Sequence, residues 1–302
     1  MTSKEPDKTY GGQAVLDGVM IRSRYSAAIC VRKPDGTLAN KYESVPRIVV
    51  PILKNIPFIR GMFVILESLI LGFKGLTYSS LVASEAEDEK IDLISMIISV
   101  LLGVSFAVGI FFILPLFVST PLEKYIDSNV VINLVEALIR LLFVLGYIFL
   151  ISKFLKIGQL FMYHGAEHMV IHAEENKDVL DLHSVKKYPI EHPRCGTAFI
   201  LYVGIVAFFV LAFTPRDPIW LGIIVRIVTI PIIAGLSYEI IRFSSTFGNT
   251  KVGNILSIPT IALQKLTTAT PNESQIEVAL MAMNKLKEFD EEVFLQRNEK
   301  AI

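Results

Sequence analysis

All five histidines of this 302-residue chain, His164, His168, His172, His183 and His192, fall within residues 164–192. The stretch YHGAEHMVIHAEEN (163–176) carries three of them at intervals of four. On a helix that spacing sets successive imidazoles one turn apart on one face, with Glu167 at its edge. His164 and His168 can then reach a single ion. The order His164-Gly-Ala-Glu167-His168 also fits H-x-x-E-H, in which two histidines hold zinc and the glutamate is a general base. Downstream, IEHPRCGTAF (190–199) adds His192, Arg194 and Cys195, close enough along the chain to fold back onto the helix. Imidazole and thiolate together suit zinc or a similar late first-row divalent metal. The chemistry these residues support best is hydrolysis, with Glu167 moving the proton and Arg194 stabilising developing negative charge. The bland alternative stays open. Histidines beside a membrane also serve as packing residues or donors to loop carbonyls, and a cysteine such as Cys195 is often a small buried filler. His172 is not counted as a ligand, and His183 reads as a solvated loop residue. There is no C-x-x-C-H signal for haem.

The elements that must position these residues are largely membrane helices. The chain is 52% hydrophobic and 19% charged, with the apolar residues in blocks. Residues 94–118 form 25 positions without a charge, long enough to cross a hydrocarbon core of roughly 30 Å. Residues 131–151, 197–214 and 219–238 supply three more spans. Glu136 and Arg140 in the second lie four apart and can pair with each other or with a neighbouring helix. The predicted fold is therefore mainly α: a helical membrane protein with four transmembrane helices. Ahead of them, residues 10–46 read as a small β-element, with KPDGT as a turn between two strands. Residues 47–83 read as an amphipathic region lying along the membrane. Their apolar core, 61–73, is too short to span comfortably, although residues 58–76 entering the membrane would invert the topology downstream. The membrane domain covers 94–238 and includes the histidine loop, 152–196. In the C-terminal part, 239–302, STFGNTKVGNILSIP reads as loop and the segment from Thr270 as a helix. Asn272 and Gln275 stand there at capping-box spacing, and Ile276, Leu280, Met283 and Leu286 form one apolar stripe.

Lys and Arg number twelve before the first span, six in the histidine loop and seven after the fourth span, against one in each short connector. The positive-inside rule then puts both termini and the histidine loop in the cytoplasm of a cell whose plasma membrane the chain spans. Cys30 and Cys195 are accordingly reduced thiols. The first 25 residues lack the apolar core of a signal peptide. The balance of 29 basic and 29 acidic residues gives no indication of a nucleic-acid partner.

Several blocks occur in an order that resembles the YqhQ-like family of bacterial multi-pass membrane proteins. They are GGQAVLDGVMIR, IRG (59–61), YHGAEHMVIHAEE, HPRCGTAF, SYE (237–239) and LQKLTTATPNESQIEVAL. The resemblance runs from Tyr10 to about Leu286. It implies a metal-dependent enzyme of unknown activity. It nominates His164, Glu167, His168, His192, Arg194 and Cys195, together with Arg60, Glu239 and the GGQAV start, as the functional surface. Glu239, which could also come from elsewhere in the chain to complete the site, stands in the metal-ligand set beside His164, His168, His192 and Cys195. The chain has Leu16, Asp17 and Met169 where the family often has Met, Glu and Lys. The last removes any role for a positive charge after the H-G-A-E-H block.

Two functions fit. One is a zinc-type hydrolase at the cytoplasmic membrane surface. The other is a non-enzymatic accessory or scaffold of membrane-protein insertion or export, with a structural metal or a His/Arg/Cys network and a membrane-protein partner. A metal transporter fits less well, because the spans lack a row of ligands.

Overall fold

The computed structural model describes residues 10–45, 56–85, 93–154, 157–246 and 250–299. The polar start, residues 47–55 and residues 86–90 of the acidic linker lie outside them. A four-stranded antiparallel meander forms first: β1 (Gly11–Val15), β2 (Gly18–Arg22), β3 (Ser26–Arg32) and β4 (Leu38–Ser44), in spatial order β1-β2-β3-β4. The expected KPDGT turn joins β3 to β4, with Gly36 at φ 87° and the Asp35 carboxylate accepting the Thr37 N–H at 2.8 Å. Both faces of the sheet are covered, which explains the nearly continuous apolar run SAAICVR of β3. Val19, Ile21, Ala28 and Cys30 face α5 (Gly158–Glu175) and α10 (Glu273–Glu299). Met20, Ala27, Ile29 and Val31 face Leu71 and Val82 of α1 (Ile59–Ala83).

Helix α1 is longer than its apolar core suggested, and it does two jobs. Its C-terminal half packs under the sheet, where Gly72 meets Gln13 and Gly75 meets Met20. Its N-terminal end packs on a membrane helix, Gly61 against Tyr238 and Phe58 against Gly235. At α10 the capping box is reciprocal: Gln275 N–H donates to Asn272 Oδ1 at 3.3 Å, and Asn272 N–H to Gln275 Oε1 at 2.8 Å. Its Ile276, Met283 and Leu286 are buried against the sheet and α5, while Leu280 is partly buried.

The membrane part comprises α2 (Leu93–Val108), a π-helical turn (Gly109–Ile113), α3 (Leu114–Ser119), α4 (Asn129–Phe154), α7 (Thr197–Ala212) and α8 (Ile219–Thr246). The short α6 (Leu182–Val185) lies in the histidine loop. Among the described residues, three helical stretches are long and apolar enough to span: Ile97–Lys124, Asn129–Ile151 and Ile219–Ser244. The expected fourth, α7, has 16 residues and a length of about 24 Å, short of the hydrocarbon core. A second difference lies beyond α8. The Gly- and Asn-rich stretch read as loop is largely helix α9 (Lys251–Gln264). Thr250 caps it by accepting the Gly253 N–H at 3.2 Å, and tertiary contacts with α7 and α8 outweigh its weak propensity.

Candidate metal centre

Helix α5 turns one face to the sheet through Ala166, Met169 and Val170, and an adjoining face to the loops that precede α7 and follow α9. His164 and His168 stand on the second face. A Cβ at Gly165 would collide with the Ala269 carbonyl, so the glycine of H-G-A-E-H lets that loop lie directly on the helix. His164 Nδ1 is 2.8 Å from the Thr267 carbonyl and His168 Nδ1 is 2.6 Å from the Ile190 carbonyl. Each carbonyl requires an N–H, which fixes the proton on Nδ1 and leaves Nε2 with its lone pair free. Cys195 Sγ lies 3.2 Å from His164 Nε2. One ligand atom from each of His164, His168 and Cys195 falls within 4.8 Å of the others. Tetrahedral zinc separates its N and S ligands by roughly 3.3–3.6 Å, so small inward shifts would close the three on an ion. Thr197 N–H points at the sulfur from 3.4 Å, at the start of α7, a setting that suits a thiolate.

Glu167 is the unbalanced member. The residue is 3% exposed, and its carboxyl makes no hydrogen bond among the described residues. It lies against β1, where a Cβ at Gly12 would be 2.6 Å from Oε1. Burial pushes its carboxyl up to about 8, partly countered by His164 and reinforced by Cys195. The donor set of two tautomer-fixed imidazoles and one sulfur fits a zinc-class ion, with the Glu167 carboxyl beside it.

A family model described as "Protein of unknown function (DUF1385)" matches residues 56–288. The chain belongs to that family. It is 33% identical over 302 residues to "Uncharacterized protein YqhQ" of Bacillus subtilis (strain 168), covering 95% of this chain and 94% of that protein. No solved structure matches.

Not every nominated residue of this family member reaches the cluster. Both ring nitrogens of His192 are engaged: Nδ1 accepts the Arg194 N–H at 3.2 Å, and Nε2 faces Glu175 Oε2 at 3.4 Å. Burial lowers His192 to about 4 and holds His168 well below the usual imidazole range. His192 therefore sits beside the cluster as a neutral ring, tilted 37° to His168 with 5.6 Å between centroids. The Arg194 guanidinium is taken by Glu175. Glu239 lies elsewhere, held bidentately by Arg60 Nε at 2.7 Å and Nη2 at 2.5 Å. There it also accepts the Phe58 N–H at the start of α1, so the pair joins α1 to α8 and is not part of the cluster. His172 Nε2–H donates to the Glu191 carbonyl, 2.9 Å away. Sequence reasoning did not single out Gln264, which clamps the His192 backbone by two bonds of 2.8 Å, or Glu175. It also missed the carbonyls of Thr267 and Ile190. Backbone carbonyls have no side-chain signature, although Glu175 stands inside the histidine motif.

Proposed function

We propose that the chain is a metal-dependent hydrolase of the plasma membrane, with His164, His168 and Cys195 as ligands and Glu167 as the proton carrier. The observation that supports it best is the pair of Nδ1–carbonyl bonds, which leave Nε2 of both imidazoles unprotonated in a cluster with the cysteine sulfur, beside the Glu167 carboxyl. Three protein ligands leave a fourth position for water or substrate, as catalytic rather than structural zinc requires. When bound, such an ion supplies Lewis acidity at neutral pH. The protein's own contribution is positional. The two carbonyls hold the tautomers, Thr197 steadies the sulfur, and Glu167 keeps its proton in a dry setting until a leaving group needs it. Arg194, paired with Glu175, lies at the rim and would bear on an anionic group only by exchanging that partner.

Four passes are also proposed, with α7 as the short one. Helices α5 and α10 pack on the same sheet, and between them the chain departs through α7 and returns through α8. If α8 crosses, α7 must cross too. The Lys and Arg bias supports a cytoplasmic sheet, histidine loop and termini.

Elemental mass spectrometry of detergent-purified protein tests the reading. Wild type should carry about one zinc-like ion per chain and the His164→Ala/His168→Ala variant none. Glu167→Gln should retain the ion and the fold but lose function in cells. Metal-free wild type, prepared without chelators, would sink the proposal. The alternative of a non-catalytic membrane component draws on Gln264 and Thr267, whose bonds to His192 and His164 make the same cluster a seam between the two halves. A fully functional Glu167→Gln variant would favour it.

A further inference from the structure

Strand β1 is one edge of the sheet, and half of its backbone groups face away from β2. Val15 pairs with Gly18 across the two-residue turn Leu16–Asp17. Residues 15, 13 and 11 therefore exchange hydrogen bonds with β2, and residues 12, 14 and 16 direct theirs outward. The Leu16 N–H in that outward row is taken by Ser79 Oγ of α1 at 3.2 Å. The N–H and C=O groups of Gly12 and Ala14 have no hydrogen bond among the described residues, and Gly12 is exposed.

An open row of this kind is a template for another strand, and proteins ordinarily blunt it with charge, proline or a bulge. The opposite edge is blunted in that way: β4 carries Lys41 and Glu43, and Lys74 of α1 binds Glu43 at 2.8 Å. β1, with the sequence GGQAV, carries no charge and no proline. Gly12 in the outward row is itself exposed, so the edge is open to solvent there. The open row also runs past the candidate centre, because Glu167 lies directly against Gly12.

We propose that the β1 edge, at Gly12 and Ala14, takes up an extended polypeptide segment as an added strand, and that such segments are the substrate class of the neighbouring centre. The docking stands on the edge alone; the substrate clause rests on the hydrolase reading above. Main-chain pairing selects for conformation rather than for side chains, so the segment must be extended. A membrane helix, whose backbone groups are already paired, does not qualify until it unwinds. Hydrolysis there would break one C–N bond with water, the hydroxyl joining the carbonyl carbon and a proton reaching the leaving amine through Glu167.

The test uses the full chain in detergent, with a chelator present so that nothing is cut. The probe is a fluorescein-labelled peptide of alternating Thr and Val, compared with the same peptide N-methylated at every internal amide. By anisotropy the parent peptide should saturate, and the methylated one should bind at least about tenfold more weakly, the equivalent of one or two lost hydrogen bonds. Ala14→Pro removes one outward N–H without touching the β2 pairing and should weaken the parent by about tenfold as well. Equal binding of the two peptides, or no saturable binding at millimolar concentration, overturns the docking whatever the metal content proves to be. Discriminating binding without cleavage after zinc is restored keeps the docking and overturns the substrate clause.

Discussion

Among the described residues, a cluster around Glu136 and a cluster around His164 are both buried and polar, and they are built on opposite principles. In the membrane part, Glu136 Oε1 accepts from Arg140 Nη2 at 2.7 Å and Arg226 Nε at 2.9 Å. Its Oε2 accepts from Arg216 Nη1 at 2.6 Å and Arg226 Nη2 at 2.5 Å. The surrounding donors are answered too: Arg140 Nε by the Phe111 carbonyl in the π-helical turn, and Arg216 by Glu123, Ser119 and Asn133. The sequence already suggested that Glu136 would pair with Arg140 or with a neighbouring helix, and it does both. The histidine cluster, by contrast, is left incomplete. Glu167 is nearly as buried as Glu136, yet its carboxyl has no hydrogen bond among the described residues, and the two imidazoles beside it meet only a cysteine thiol, 3.2 Å from His164 Nε2. A saturated cluster ties helices together, whereas an unsaturated one retains capacity for a ligand.

Substitutions should separate the two. Glu136→Leu leaves three buried guanidiniums around an apolar side chain and should destabilise the protein by about 3–5 kcal/mol, read as a collapse of detergent thermal stability. A variant that melts like wild type would break the comparison. Gly12→Ala drives a methyl into Glu167 and the Met20 carbonyl and should destabilise by about 1–3 kcal/mol. Adding Glu167→Ala should recover part of that loss, a coupling that a double-mutant cycle measures.

Glu167→Gln should change stability least, and with a defined pH dependence. In chelator-treated wild type, folded Glu167 keeps its proton up to about pH 8 while the unfolded chain releases it near 4.5. The folded state thus binds more protons in that window, so wild-type stability falls as pH rises through it. The variant lacks this loss, and its melting temperature relative to wild type should climb from pH 4.5 to about 8 and level off. A flat difference would show that Glu167 is solvated. The smallest perturbation is alkylation. Burial pushes the Cys30 thiol up to about 12, so Cys30 should resist iodoacetamide in the folded protein. Cys195 should react slowly, and zinc should protect it.

Much of this architecture was legible along the chain because its signals are local. The apolar blocks at 94–118, 131–151 and 219–238, the KPDGT turn and the Asn272/Gln275 cap each arise within a few residues. The 47–83 region was read only in part, since α1 changes partners midway, from α8 to the sheet. Helix α9 was missed because Gly253, Pro259 and two nearby asparagines are loop-like by propensity, and only contact with α7 and α8 makes the segment helical.

By itself the sequence determined the class of protein and the helix that carries His164, Glu167 and His168 on adjoining faces. Hydropathy and periodicity are properties of neighbouring residues, and they suffice for that. Tertiary structure decided which groups meet. The Thr267 carbonyl that fixes His164 is 103 residues away, Arg60 and Glu239 are separated by 179, and Gly12 reaches Glu167 only because β1 is laid against α5. Hydrogen bonds between distant segments, and the carboxyl left without one, depend on how the segments pack, and no local pattern encodes that.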